Sequence, residues 1–164
     1  MILALTGFMG SGKSAVGRIV ADTLGVTFVD LDDFIVAREK RTIREIFRSN
    51  GEPWFRITEE GALKTVLQKY AEADLVLSLG GGTILSANAR AMLREKTLCI
   101  WLDAPAEVLR ARIGTDSSRP LADEDFAARL EERRPLYEEV ADVTIDTTTL
   151  STQDIADEII ISCL

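Results

Sequence analysis

The stretch Gly7-Phe-Met-Gly-Ser-Gly-Lys-Ser14 has the spacing G-x-x-x-x-G-K-S. Glycines let such a loop curl so that its N–H groups face inward, where they can hold phosphate oxygens. A helix starting near Lys13 adds the positive end of its dipole. Lys13 can bridge the β- and γ-phosphates, and the Ser14 hydroxyl can ligate Mg²⁺. Gly10, Ser11, Gly12, Lys13, Ser14 and Ala15 are therefore the expected nucleotide contacts. The loop implies a magnesium-bound nucleoside triphosphate. It does not say where the phosphoryl group goes, because a GTPase, an ATPase motor and a small-molecule kinase share it. A Ras-like GTPase would carry N-K-x-D to read its base, which this sequence lacks, and a motor usually needs more than 164 residues.

A second chemical signal is Phe28-Val-Asp-Leu-Asp-Asp33, which crowds aspartates at the end of an apolar run. In an extended segment residues i and i+2 point the same way, so Asp30 and Asp32 should share a face while Leu31 turns away. Ligands of α/β sheets bind at the carboxyl ends of strands. Phosphate loop and aspartates follow consecutive strands, so both belong at that edge. One carboxylate can hold the metal, directly or through water. The other can accept a hydrogen bond from an acceptor hydroxyl. Asp33 reads instead as an acid stabilising the next helix N-terminus. A carboxylate of ordinary pKa, about 4, is a poor base for an alcohol early in a reaction, so orientation is the role expected of the acceptor-side aspartate.

Further groups suit an anionic acceptor. Arg56 follows Trp54 and Phe55, a setting for planar bidentate anion recognition. Gly80, Gly81 and Gly82 follow a buried strand and allow a ligand to approach the backbone, although taken alone they also fit a flexible turn. Arg112 and Arg119 flank a loop rich in Gly, Ser, Thr and Asp, a candidate lid over the phosphates. Arg133 and Arg134 add positive charge near the same mouth.

These groups need a scaffold. Short apolar runs at Ile2–Thr6, Thr27–Asp30, Leu75–Leu79, Leu98–Asp103 and Asp142–Asp146 read as strands buried on both faces. Between them, Lys13–Leu24 is helical in spacing, Thr42 and Glu45 form a capping-box pattern, and Pro53 suits the first turn of a helix reaching about Ala71. Pro105 opens another helix ending near Gly114, Phe126–Val140 is helical with a kink or break expected at Pro135, and Ser151 can cap a final helix. The alternation predicts a single α/β domain over 1–164 with a mainly parallel sheet.

Composition excludes several classes. The net charge is −8, the wrong sign for general nucleic-acid binding. There is no histidine, so imidazole bases, Ser-His-Asp chemistry and His-ligated metals are out. Two cysteines, Cys99 and Cys163, are too few for a disulfide framework or zinc site. No run is apolar enough for a membrane span, and the first residues lack the pattern of a signal peptide. A cytoplasmic protein is expected.

Taken in order, Gly7–Ser14, Asp30-Leu31-Asp32, Gly51-Glu52-x-x-Phe55-Arg56, Gly80–Gly82, Arg119-Pro120-Leu121 and Arg133-Arg134-Pro135-Leu136-Tyr137 resemble the shikimate kinase family over essentially the whole chain. The resemblance implies a three-layer P-loop fold of the nucleoside monophosphate kinase type, with a five-stranded parallel sheet in order 2-3-1-4-5. It implies ATP-dependent phosphorylation of the shikimate 3-hydroxyl, on the way to chorismate and the aromatic amino acids, with Mg²⁺ as cofactor. It implies small-molecule partners only and a monomer. It assigns Asp32 to the acceptor hydroxyl, Asp30 and Ser14 to the metal, Arg56 and Arg133 to the shikimate carboxylate, and Gly80, Gly81 and Gly82 to the substrate side. Phe47 and Phe55 become pocket walls, Arg119 the lid arginine reaching the phosphates, and Arg112 the arginine near adenine. Asp32, Lys13 and Arg119 become the catalytic groups. Substrate binding then falls to about 31–60 and the lid to about 112–123. Ser78 stands where a Walker B acid is often found. The residues near Thr147–Thr152 lack the Arg and Pro of some relatives, and Ala122 replaces a common leucine. A gluconate-type kinase and a non-catalytic nucleotide-binding module are the alternatives.

Overall fold

A computed structural model describes residues 1–114 and 125–163. Strands β1 (Ile2–Thr6), β2 (Thr27–Asp30), β3 (Leu75–Ser78), β4 (Leu98–Asp103) and β5 (Val143–Asp146) form one sheet in the order β2-β3-β1-β4-β5. Every neighbouring pair is parallel, so each crossover must be long and is helical. The helices are α1 (Lys13–Leu24), α2 (Leu31–Glu39), α3 (Ile43–Asn50), α4 (Glu52–Lys69), α5 (Ala87–Lys96), α6 (Ala106–Ile113), α7 (Phe126–Val140) and α8 (Thr152–Cys163), with a short 3₁₀ turn at Thr83–Leu85. The expected strand order and parallel sheet are thus observed.

Strand alternation divides the core. Leu3, Leu5, Val76, Ile100, Leu102 and Ile145 pack with Val16, Val20 and Ala21 of α1 and Ile155, Ala156 and Ile159 of α8. Ile2, Ala4, Leu75, Leu77, Cys99 and Trp101 join the larger cluster beneath α4, α5 and α7. Both faces are apolar, which is why the strands read as continuous hydrophobic runs. Each fully buried Val or Leu contributes about 2 kcal/mol to this packing. Cys99 is buried within the sheet, as expected.

Local signals held well. Thr42 and Glu45 exchange both capping-box bonds, at 3.1 and 2.8 Å. Pro53 lies in the first turn of α4. Ser151 and Asp154 exchange equivalent bonds ahead of α8. Pro105 caps α6 rather than entering its first turn. At Pro135 α7 does not break, because Leu130 and Arg133 before it and Tyr137 and Val140 after it are all buried. The larger departure is at Asp30, where β2 stops and Leu31 at once begins α2. Among the described residues no helix is long and apolar enough to cross a membrane.

Candidate active site

The phosphate loop joins β1 to α1. Gly10 and Gly12 adopt φ of 84° and 87°, the left-handed region that glycine tolerates. Gly10 also sits where a Cβ would lie 2.6 Å from the Leu109 carbonyl oxygen, so no other residue fits. The Lys13 ammonium donates to Gly7 O at 2.7 Å and Phe8 O at 3.2 Å, which fixes it at the loop's mouth. Met9, Gly10, Gly12, Lys13, Ser14 and Ala15 line a cleft of about 550 Å³ together with Asp30, Asp32, Leu79, Gly80, Gly81 and Arg112. Ser11 does not line it. Its N–H donates to Phe8 O at 3.2 Å and its side chain is buried.

Asp30 and Asp32 both reach the cleft, but not by strand alternation. Because α2 starts at Leu31, Asp30 becomes its N-cap. Asp30 Oδ1 accepts from the Asp32 and Asp33 N–H groups at 3.0 and 3.2 Å. Its other oxygen accepts the Ser14 hydroxyl at 2.5 Å. One carboxylate thus starts a helix and tethers the phosphate loop. Leu31 turns into the core, as expected. Asp33 stays exposed in the first turn, 3.6 Å from Arg18, where an acid complements the dipole.

The three glycines after β3 form the spine of the site. A Cβ on Gly80 would lie 3.1 Å from Asp32 Oδ1 and 2.8 Å from Glu59 Oε2. A Cβ on Gly81 would lie 3.6 Å from Gly7 O and Met9 N of the phosphate loop and 3.9 Å from the Arg133 guanidinium. A Cβ on Gly82 would land on the Arg56 guanidinium. The glycine run therefore brings the acidic group, the loop and both arginines to one strand end without intervening side chains. Phe47 and Phe55 pack with ring centroids 4.8 Å apart beside Arg56.

Glu59 is the residue that sequence reasoning missed. It is 2% exposed. Its Oε1 accepts from Arg56 at 2.9 Å, and its Oε2 accepts the Thr83 hydroxyl at 3.0 Å. The available signal was its i,i+3 spacing from Arg56 on a predicted helix. Burial, then Glu59, then Asp30 raise the Asp32 pKa to about 6, against the pull of Lys13 and Arg56. This corrects the ordinary carboxylate assumed from sequence: Asp32 is a better base than its type implies.

Other candidates separate. Arg112 lines the cleft and donates to the Thr147 hydroxyl at 2.9 Å, which joins it to the loop after β5. Arg134 turns away from the mouth, pairing with Asp103 at 2.6 Å and Glu131 at 2.9 Å to fix α7 against the end of β4. Arg119 and most of the expected lid lie outside the described residues.

The oxygen set at the loop suits magnesium. Ser14 Oγ lies against Asp30 Oδ2 and 3.2 Å from Ser78 Oγ. Hard oxygen donors fit Mg²⁺, which commonly takes only one or two protein ligands and completes its shell with phosphate and water. Among the described residues no group of His, Cys, Asp or Glu could cage a metal alone.

Sheet order and loop together place the chain among the P-loop kinases, in which a triphosphate at the end of β1 faces an acceptor pocket. Residues 9–164 match the family model described as Shikimate kinase. The chain belongs to the shikimate kinase family. It is 41% identical over 160 residues to the shikimate kinase of Geobacter metallireducens, covering 94% of this chain and 87% of that one. It is 40% identical over 162 residues to that of Streptomyces avermitilis, covering 96% and 92%. The fold matches shikimate kinase from Acinetobacter baumannii in complex with shikimate at a TM-score of 0.89, with 36% identity over 97% of this chain and 90% of that one. A gluconokinase from Sinorhizobium meliloti shares the fold at a TM-score of 0.61 and 21% identity, covering 96% and 87%.

Proposed function

We propose that this chain transfers the γ-phosphoryl group of ATP to the 3-hydroxyl of shikimate. The observation that carries the reading is the glycine spine, which gathers Asp32, Arg56, Arg133 and the phosphate loop at one strand end. Asp32 orients the hydroxyl and takes its proton as the new O–P bond forms and the bond to the ADP oxygen breaks. Its raised pKa suits late proton acceptance. Arg56 and Arg133 hold the shikimate carboxylate, and Phe47 and Phe55 wall the pocket. Lys13 and the loop N–H groups hold the phosphates, Arg112 borders adenine, and Arg119 meets the transferring group. Ser14, and Asp30 through water, would hold Mg²⁺, which when bound neutralises phosphate charge. Positioning and charge neutralisation supply most of the rate. The reading includes a monomer acting in the cytoplasm.

The test is ADP release from ATP and Mg²⁺ with shikimate, with gluconate, and with neither. Shikimate-dependent turnover with gluconate at background is expected; the reverse order would favour the gluconate-type alternative, and no turnover on either would favour the nucleotide-binding module.

Gly82→Ala probes the spine. The φ of −103° suits alanine, so the fold should stand. The added methyl meets the flexible end of Arg56 and displaces it. Shikimate Kd should rise about tenfold, equivalent to about 1.4 kcal/mol. Unchanged affinity would detach Gly82 from the clamp.

A further inference from the structure

Phe8 occupies a position that the phosphate-loop pattern leaves free, yet its side chain is 1% exposed. The ring does not line the cleft. It turns toward α7, meeting Phe126 edge-on at 5.0 Å and 77°. Arg133 places its guanidinium carbon 5.3 Å from the Phe8 centroid. Arg133 is itself buried, at 8% exposure.

Arg56, Arg134 and Arg133 are held differently. Arg56 is fixed by Glu52 and Glu59. Arg134 is fixed by Asp103 and Glu131. For Arg133, among the described residues, no carboxylate forms an ion pair. It meets instead the Phe8 ring and the Tyr137 hydroxyl. Tyr137 donates to Gly81 O at 2.6 Å, and burial pushes its phenol well up, so the hydroxyl stays neutral. A buried cation without a carboxylate is expensive unless its surroundings supply negative potential. A ring face does so without neutralising the charge, which stays available to an incoming carboxylate.

We propose that Phe8 is a positioning residue that orients Arg133 through its π face, so that the phosphate loop itself sets the geometry of the acceptor's carboxylate clamp. This rests on Arg133 being the carboxylate arginine. Phe8 does not line the cleft and acts only through Arg133.

The experiment places 4-fluoro-, 3,5-difluoro- and 3,4,5-trifluorophenylalanine site-specifically at position 8. Fluorine drains the ring face while nearly preserving its shape. Kd for shikimate, Kd for Mg–ADP and the melting temperature are measured on each variant, with Arg133→Met alongside. The logarithm of the shikimate Kd should climb with each fluorine, to roughly fivefold for the trifluoro ring. Mg–ADP affinity and melting temperature should hold, and the fluorine series should go flat in an Arg133→Met background. Arg133→Met should itself weaken shikimate more than tenfold. If it leaves shikimate binding unchanged, the clamp reading fails and this inference falls with it. If Arg133→Met weakens binding while the fluorine series is flat, the clamp stands and the inference alone is overturned. Parallel losses for shikimate and Mg–ADP would also overturn it, since the ring would then only shape the loop.

Discussion

Asp32→Asn should lower kcat by about three orders of magnitude, the loss typical of a positioned base, while Mg–ATP still binds. The same substitution should make the protein more stable at neutral pH. Asp32 has its pKa raised from 3.8 to about 6, first by burial and then by Glu59 and Asp30. The fold therefore disfavours the charged form. For a raised pKa the favourable contribution is fully present below the unfolded value and is lost as pH rises through the folded one. At pH 8 the carboxylate is charged in both states, and the folded state bears the whole penalty. Discounted for the partial exposure of Asp32, that penalty is on the order of 2 kcal/mol. Asparagine removes it, and the melting temperature should rise by about 6 °C at pH 8. At pH 4 the two proteins should melt much closer together, because the wild-type carboxyl is then mostly protonated. Thermal melts at both pH values, with a single-turnover assay, check this. A variant that is slow but gains no more over the wild type at pH 8 than at pH 4 would mean that Asp32 is not held under electrostatic stress.

Types and spacing drew out the phosphate loop, the paired aspartates and the glycine run, which the fold gathers around one cleft, because each depends on local geometry. The route by which Asp30 and Asp32 converge was misread. An extended segment was assumed through residue 32, but Asp30 can cap a helix with its own side chain, and capping competes with strand continuation. A helix was expected at Asp33 but not from Leu31 onward, since with only Leu31 and Ile35 of α2 buried the helical signal is weak. α5 was missed for the same reason, with only Ala89 and Leu93 buried. Phe8 was invisible because a motif position marked as free carries no chemical expectation. Its partner lies on α7, far along the chain.

Glu59 shows how the missing part of the site works. Glu59→Gln keeps the shape of the side chain and one acceptor oxygen but removes the charge. Two consequences follow from its contacts. Arg56 loses the charge-assisted bond to Oε1 and keeps only the longer ones to Glu52, at 3.3 and 3.4 Å. A charge-assisted bond is worth about 2 kcal/mol, so the KM for shikimate should rise by roughly tenfold to thirtyfold, with kcat falling less. Asp32 meanwhile loses the second largest cause of its raised pKa. The acid limb of kcat/KM for shikimate, which the raised Asp32 pKa of about 6 leads us to expect near that pH in the wild type, should move to lower pH. It should not fall to an ordinary carboxylate value, because burial is the larger cause and remains. Full pH profiles of kcat and kcat/KM separate these effects from loss of packing, which would lower stability without moving the limb. Glu59→Ala is the harsher control. It leaves Arg56 and the Thr83 hydroxyl without their buried partner and should destabilise the protein by about 3 kcal/mol. A Glu59→Gln variant with unshifted limb and unchanged KM would reduce Glu59 to a packing residue. The expected result makes it the group that holds Arg56 in place and keeps Asp32 ready to accept a proton near neutrality.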